Sequence, residues 1–365
     1  MTSLDRPTTS EAPATIAICM ATYNPDPILL RRQVRSIVAQ SVQDWTCYIS
    51  DDCSSDAALD GLMAEVQGDA RFVVSRSDIN LGVYRNFERA LSLVPRGTDF
   101  VALSDQDDEW YPNKLAVLRD RLVAGVELVY SDFRIVDPDG MVLANSLWES
   151  RRNYWQRLDL LGVFNTVTGA AAMFPSHLLR RALPFPELPE PAWHDHWLTL
   201  LAVCQGHLAY VDEALFDHIH HGHNVSGHIH NTPSHRRWSQ LVDRDVLTRA
   251  VASWAWHYST GVRYVQQLAW HVERRAGASA SPVKRRQVRR LVRLDRSIVS
   301  LLWVASLAAH RRRPDDFIPS RGRDLLRGLL YAHAARGVRA WRDATSRGAV
   351  ARSTAPVASA VKEQG

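Results

Sequence analysis

Three short polar clusters hold the residue types that handle nucleotides and metal ions. They are Thr22-Tyr23-Asn24, Asp51-Asp52 and Asp105-Gln106-Asp107-Asp108, and each follows a brief apolar run: Ile16 to Met20, Trp45 to Ile49 and Phe100 to Leu103. A nucleotide-diphosphate donor presents a flat base, a ribose and a charged pyrophosphate. The Tyr23 ring can stack on the base, and Asp52 can accept a hydrogen bond from a pyrimidine N3–H. Asp105 and Asp107 stand two apart after the third run, so their oxygens can meet a ribose hydroxyl and a divalent cation that bridges the phosphates. Hard oxygen ligands favour Mg2+ or Mn2+ over zinc. On this segment alone a second reading has equal weight, in which Asp107, Asp108 and Glu109 complement the positive end of a helix beginning near Pro112.

Chemistry on three separate segments needs elements that bring them together. Parallel strands do this, because the residues after their C-terminal ends reach one edge of the sheet, where open α/β sheets bind ligands. The pattern predicts a strand to Met20, a helix from about Pro27 to Gln40, a strand at Thr46 to Ser50, a helix from about Ala57 to Gln67 and a strand at Arg71 to Ser75. A helix at about Tyr84 to Leu93 then precedes the strand at Phe100 to Leu103, and Lys114 to Val123 is helical with Pro112 suited to its first turn. Beyond Leu128 to Ser131 the strict alternation ends. Asp137-Pro138-Asp139-Gly140 predicts a hairpin turn between Phe133 to Val136 and Met141 to Leu143. Tyr154 to Leu161 reads as helix-like, Thr168 to Phe174 as a buried strand, Trp197 to Gln205 as a helix and Val211 to Leu215 as a closing strand. From His235 onward helical stretches dominate, broken at Ser279 to Pro282 and Arg312 to Pro319.

Composition sets the domain expectations. At 365 residues the chain exceeds the size at which single cores usually stop growing. The expected division is a disordered leader at 1–14, an α/β domain at 15–230, a basic helical region at 231–345 and a disordered tail at 346–365. Cys19, Cys47, Cys53 and Cys204 are too scattered for a disulfide framework or a CxxC zinc site, which points to a reducing, cytoplasmic setting. No run is apolar for the roughly 18 to 20 residues that a membrane span needs. The net charge of +5 conceals an asymmetry: residues 1–228 carry 18 Lys and Arg against 30 Asp and Glu, whereas residues 229–365 carry 26 against 9. An acidic front part suits divalent metal, and a basic rear part suits anionic lipid or a lipid-linked phosphate. A solvated basic surface accounts for the rear charge equally well. No RNA or DNA motif appears, so nucleic acid is not an expected partner.

Ala21-Thr22-Tyr23-Asn24, Ser50-Asp51-Asp52-Cys53-Ser54-Ser55-Asp56 and Ser104-Asp105-Gln106-Asp107-Asp108-Glu109-Trp110 together resemble the family 2 glycosyltransferases of GT-A fold, in order and separation as well as in type. The resemblance covers roughly residues 15 to 230. It implies a Rossmann-like, mixed and mainly parallel sheet flanked by helices, with the helical C-terminal extension outside the motif. It also implies that Thr22, Tyr23, Asn24, Asp51, Asp52 and Asp105 bind the donor nucleotide and that Asp107 binds Mg2+ or Mn2+. Asn80-Leu81-Gly82, with Arg85 and Asn86, resembles the family's Asn-x-Gly segment beside the donor. Cys53 stands where many members carry glycine, so a tighter loop is expected there.

Two later segments extend the likeness. Trp193-His194-Asp195-His196-Trp197 resembles the acidic segment beneath the acceptor site, which makes Asp195 the candidate base; many members have Glu where His194 stands. Helix capping by Asp195 is the competing use. His194, Trp197 and Trp110 are acceptor-side candidates. His221 in His218-Ile219-His220-His221-Gly222-His223-Asn224-Val225-Ser226-Gly227 aligns with a histidine that completes the metal shell or contacts the leaving diphosphate. His218, His220, His223, His228, His230 and His235 have irregular spacing and no nearby cysteine, which argues against a zinc site.

The implied activity is an inverting single displacement from a nucleotide-sugar donor to a glycan or lipid-linked acceptor. The Ser-Asp-Gln-Asp-Asp-x-Trp form resembles a rhamnosyltransferase subgroup, which suggests a dTDP-sugar such as dTDP-rhamnose, with UDP-hexoses still open. A catalytically inactive nucleotide-binding module and a metal-dependent nucleotidyltransferase are the alternatives. In the rear part Trp254, Trp256 and Trp270 lie among arginines, and a basic run from Arg285 to Arg293 precedes the apolar Ile298 to Ala309. Interfacial helices combine these features, although tryptophans at helical spacing are more often packed, as is expected for at least half of these.

Overall fold

Ile16 to Met20 are all buried, as a strand covered on both faces requires, and they form most of β1 (Ile16–Thr22). In the computed structural model the described residues are 14–149, 152–189, 191–222, 244–309 and 317–353. β1 lies between β2 (Trp45–Asp51) and β4 (Phe100–Ser104), with β3 (Phe72–Arg76) outside β2, and these strands run parallel. Thr22 pairs in register with Asp51, and Met20 with Ser104. The residues that follow β1, β2 and β4 therefore emerge at one edge.

The crossover helices begin where local chemistry permits. α1 (Pro27–Val38) starts with proline after Asp26, whose carboxylate accepts from the Ile28 and Leu29 N–H groups. Its buried positions Leu29, Leu30, Val34 and Ile37 follow the helical period and face the sheet. α2 (Asp56–Val66) is capped by Ser55, and α3 (Val83–Ser92) follows Gly82, whose φ of 78° lies in the left-handed region that glycine adopts freely.

Beyond β4 the sheet becomes mixed. β5 (Asp108–Trp110) leads to α4 (Lys114–Arg121), β6 (Val126–Val136) and β7 (Val142–Ala144). A four-residue helix α5 (Leu158–Leu161), a 3-10 turn at Gly169–Ala171 and β8 (Ala172–Pro175) follow. After α6 (Leu179–Ala182), α7 (His194–Gln205) and β9 (His207–Ile219) complete the α/β part. The strand order is β3-β2-β1-β4-β8-β6-β9-β5, with β7 paired to β6. β8 is antiparallel to both β4 and β6, and β5 is antiparallel to β9.

Several local expectations change. Tyr154 to Leu161 is helical only at its end. Thr168 to Phe174 divides between a 3-10 turn of three buried small residues, Gly169, Ala170 and Ala171, and the first three residues of β8. Val211 to Leu215 is the middle of the long β9. Pro112 lies before the Asn113 cap and outside the helix, so Asp108 to Trp110 are strand residues and not its first turn.

The rear helices are α8 (Arg244–His257), α9 (Arg263–Ala276), α10 (Pro282–Val292), α11 (Ile298–Ala308) and α12 (Phe317–Ser353), with a π-helical turn at Tyr258–Val262 joining α8 to α9. The last helix continues past residue 346, into the segment whose composition suggests an unstructured tail. Tyr264, Val265 and Leu268 of α9 and Leu325 and Leu329 of α12 belong to the same continuous core as β1. Trp254, Trp256 and Trp270 are exposed, contrary to the expectation of packing. α9 buries the stripe of Tyr264, Val265, Leu268, Ala269 and Val272, which leaves Trp270 outside it, beneath the Arg274 guanidinium at 4.7 Å.

Candidate active site

The loops after β1, β2 and β4 meet over a cleft of about 1370 Å3. Thr22, Tyr23, Asn24, Asp52, Asn80, Gly82, Asn86, Asp105, Asp107, His194, Asp195 and His221, all singled out from the sequence, line it. Asp51, Arg85, Trp110 and Trp197 do not.

Reciprocal bonds hold the loops after β1 and β2. Gln106 Oε1 accepts from the Tyr23 N–H at 2.8 Å, and Gln106 Nε2 donates to the Tyr23 carbonyl at 3.3 Å, so the backbone is clamped while the Tyr23 ring stays 50% exposed. Asn24, at a φ of 41°, donates its N–H to Ser54 Oγ and accepts the Ser55 N–H on its side-chain Oδ1. The Asp52 carboxylate accepts the Leu81 N–H at 2.7 Å and the Gly82 N–H at 2.9 Å, which fixes the Asn80 to Gly82 turn. Asn86 donates to the Thr22 carbonyl, and its buried Oδ1 has no partner. Cys53 has a φ of 62°, so cysteine adopts a conformation that suits glycine.

The residues outside the cleft have identifiable tasks. Asp51 is fully buried and accepts from Thr22 Oγ1, the Ser54 N–H and Ser54 Oγ, which organises the turn after β2. Arg85 is held by Glu88, Glu187 and the Phe185 carbonyl. Trp197 is a core residue whose indole N–H donates to the Ala182 carbonyl. Trp110 is buried with the Lys114 ammonium 3.8 Å from its ring.

Carboxylates crowd the loop after β4. Burial raises the Asp105 pKa, and the Asp108 and Asp107 charges raise it further. Burial and then Asp108 likewise raise Asp107, against the opposing effect of His221, whose Nε2 lies 2.9 Å from Asp107 Oδ2. Beneath them His218 Nδ1 lies 2.9 Å from Asp108 Oδ1. Burial lowers the His218 pKa, but the Asp108 bond and the surrounding carboxylates outweigh it and the net shift is upward. Among the described residues no three His, Cys, Asp or Glu side chains converge as a ready-made metal cage. This donor set fits a cation such as Mg2+, which typically takes one or two carboxylates and completes its shell with phosphate oxygens and water. His223, His228, His230 and His235 lie outside the described residues.

The first turn of α7 brings Asp195 into the same cleft, where its charge adds to those raising the Asp105 pKa. Burial pushes the Asp195 pKa up to about 6, despite the opposing His196 N–H, Asn165 side chain and Gly169 N–H. The neighbouring His194 ring stacks on Phe87 at 3.7 Å between centroids. Burial lowers its pKa to about 3, and neither ring nitrogen has a partner. A Cβ on Gly169 would come within 2.5 Å of His194 Nε2, so this close approach requires glycine.

Sequence reasoning missed several wall residues. Val163, Phe164, Asn165 and Thr168 come from the loop before β8, and Trp256, Thr260, Tyr264 and Arg321 come from the rear helices. Tyr264 Oη lies 3.3 Å from His196 Nδ1, and the Arg321 Nε–H donates to the Val163 carbonyl. No motif announces contacts across such separations. Lys114 was also missed: it is fully buried and donates to the Ala170 carbonyl at 2.6 Å, and burial lowers its pKa against the pull of Asp108 and Asp105. A lysine among apolar positions just after an acidic cluster is the only signal for it.

Residues 17–181 match the family model described as Glycosyl transferase family 2. The putative colanic acid biosynthesis glycosyl transferase WcaA of Escherichia coli (strain K12) is 29% identical over 121 residues, covering 32% of this chain and 42% of that protein. The dTDP-rhamnosyl transferase RfbG of Shigella flexneri is 34% identical over 116 residues, covering 31% of this chain and 39% of that protein. The matches thus span less than half the length of these relatives. Among solved structures, S. aureus TarS 1-349 aligns over 88% of this chain and 87% of its own with a TM-score of 0.51 at 15% identity, a likeness of fold.

Proposed function

Starting from residues 17–181, which make this chain a member of glycosyltransferase family 2, we propose a metal-dependent, inverting glycosyltransferase. It moves a sugar from a dTDP- or UDP-linked donor, with dTDP-rhamnose a candidate, to a hydroxyl of a cell-surface polysaccharide or lipid-linked glycan. The observation that carries this reading is one cleft lined by the Asp105, Asp107 and Asp195 carboxylates together. The rhamnosyl name of the Shigella relative supports the dTDP option.

Each residue then has a task. Tyr23 offers its exposed ring to the base. Asp52 retains lone pairs beyond its two backbone bonds for a pyrimidine N3–H. Asp105 accepts from the ribose. Asp107, steadied by His221, would hold Mg2+ or Mn2+, which when bound offsets charge on the leaving diphosphate. Asp195, with its pKa raised to about 6, is ionised near neutrality yet basic enough to take a proton from the acceptor hydroxyl as that oxygen attacks the anomeric carbon. His194 stays neutral beside it and offers a ring nitrogen to an acceptor hydroxyl.

The proposed setting is the cytoplasm, with peripheral contact to an anionic membrane that carries the acceptor. Among the described residues no helix is long and apolar enough to cross a membrane. Titration calorimetry with UDP, dTDP, GDP and ADP, each with and without Mn2+, tests the donor half of the proposal. Metal-dependent binding of a pyrimidine diphosphate is the expected result, and no binding of any nucleotide by folded protein would overturn the reading.

A further inference from the structure

α10 carries arginine on every turn, and most of that charge meets no acid. Arg285, Arg286, Arg289, Arg290, Arg293 and Arg296 wall a concavity of about 880 Å3, together with Ser297 and Ser300. Arg289 pairs with Glu273 at 2.7 Å, and Arg285 donates to the carbonyls of Gly277, Ala278 and Ala280. The nearby Asp295 is engaged by Arg336 and Gln266. Among the described residues no carboxylate pairs with Arg286, Arg290, Arg293 or Arg296. Arg290 sits over the Trp303 ring at 4.4 Å, and its buried Nε has no partner. Cations held together without counter-charge repel one another, and an anion in the concavity relieves that repulsion.

The same corner exposes hydrocarbon. α11 has no charged residue from Ile298 to Ala308, and its Ser300 and Val304 are buried. Ile298, Val299 and Leu302 on its other side are 66%, 62% and 64% exposed. Ile298 and Leu302 are four residues apart and so share one stripe. Unpaired arginines beside an apolar stripe suit an anionic bilayer, where guanidinium groups meet headgroup phosphates and apolar side chains reach the acyl boundary. A nucleic acid would satisfy the charge and leave the stripe in water.

We propose that α10 and the first turns of α11 dock this protein on an anionic phospholipid bilayer. The inference rests on the membrane-proximal acceptor reading above and adds the docking residues and an orientation. α11 runs from the arginine concavity to Ala308, where a Cβ on Gly322 of α12 would lie 2.7 Å from the Ala308 nitrogen. Gly322 follows Arg321, which lines the active-site cleft. The docking face and the cleft are thus about one α11 length apart, roughly 16 Å. That spacing places the cleft within reach of a glycan anchored in the same bilayer.

Hydrogen exchange of the full chain on phosphatidylglycerol-containing vesicles, compared with pure phosphatidylcholine, tests this without any substitution. Protection concentrated at residues 283–304 on the anionic vesicles alone is expected. Arg286→Ser, Arg293→Ser and Arg296→Ser combined should weaken vesicle binding roughly 100-fold, Ile298→Ser with Leu302→Ser should also weaken it, and dTDP or UDP binding should not change. Equal binding to both vesicle types, protection elsewhere, or wild-type binding by the folded variants overturns the proposal. Protection of 283–304 by inorganic pyrophosphate or duplex DNA, with none from vesicles, assigns the concavity to a soluble anion and also overturns it. Vesicle docking by a protein that binds no nucleotide would leave the docking face standing and remove the glycosyltransferase reading.

Discussion

His221 Nε2 lies 2.9 Å from Asp107 Oδ2, a link across 114 positions of sequence. It ties the residue just beyond β9 to the loop beyond β4. Asp108 and His218, the adjacent pair, make the same connection one layer deeper, where β5 and β9 run side by side. The Asp105 to Asp108 loop is therefore supported from below and from its flank, and its geometry depends on β9 as much as on β4.

The first consequence concerns metal. Asp107→Asn removes a ligand charge from the proposed cation site while keeping shape, so Mn2+-dependent binding of a nucleotide diphosphate should be nearly abolished. His221→Ala acts on Asp107 from outside and should weaken the metal dependence by roughly 10- to 100-fold. Titration calorimetry with and without Mn2+ measures both, and wild-type metal dependence in Asp107→Asn would remove that residue from the site.

Asp195→Asn separates catalysis from stability. Loss of a general base should lower transfer by roughly 10^2- to 10^4-fold with donor affinity unchanged. In the wild type, kcat/KM should rise with pH through about 6, the pKa to which burial lifts this carboxyl. Its folded pKa lies above its unfolded value of 3.8, so the native state binds the proton more tightly and loses stability as pH rises from about 4 to 6. The Asn variant lacks this loss. It should be more stable than wild type at pH 7 by an amount on the order of 1–3 kcal/mol, with the gap closing below pH 4, as read by urea unfolding.

Cys53 gives a test of backbone strain. A non-glycine residue at a φ of 62° costs on the order of 1 kcal/mol or more. Cys53→Gly relieves that cost and gives back part of it through the greater freedom of the unfolded chain. A net gain of about 0.5–1 kcal/mol in urea unfolding is expected, with donor binding retained because Asp52 keeps its bonds to the Leu81 and Gly82 N–H groups.

The legible part of the fold was the part built from local pattern. β1 to β4 are short runs separated by helices, the first two capped by Asp26 and Ser55, and the polar residues after β1, β2 and β4 could be placed at one edge by topology alone. What sequence pattern could not show was burial and distant pairing. Asp51 and Asp52 are neighbours of identical chemistry, yet strand alternation turns Asp51 into the fold and Asp52 toward the cleft. Trp110 and Trp197 flank the acidic segments, and each points into the core. The brevity of β5 hid it, since three residues carry no period. Arg321 and Tyr264 reach the cleft only because α9 and α12 share the core of the α/β part.

Trp256 offers the sharpest test of what those rear helices contribute. It is 59% exposed and lines the cleft together with Thr260 and Tyr264, the last of which lies within electrostatic reach of Asp195. An exposed indole on a cleft wall is a stacking platform for the apolar face of a sugar ring, and stacking of this kind contributes about 1 kcal/mol. Trp256→Ala should therefore raise the KM for acceptor about fivefold to tenfold. Donor affinity, metal dependence and the slow hydrolysis of donor by water should stay at wild-type levels, because none of them uses the acceptor wall. A parallel loss of donor binding would mean that the indole supports the cleft as a whole, and the acceptor would then have to be sought on the Phe164 side.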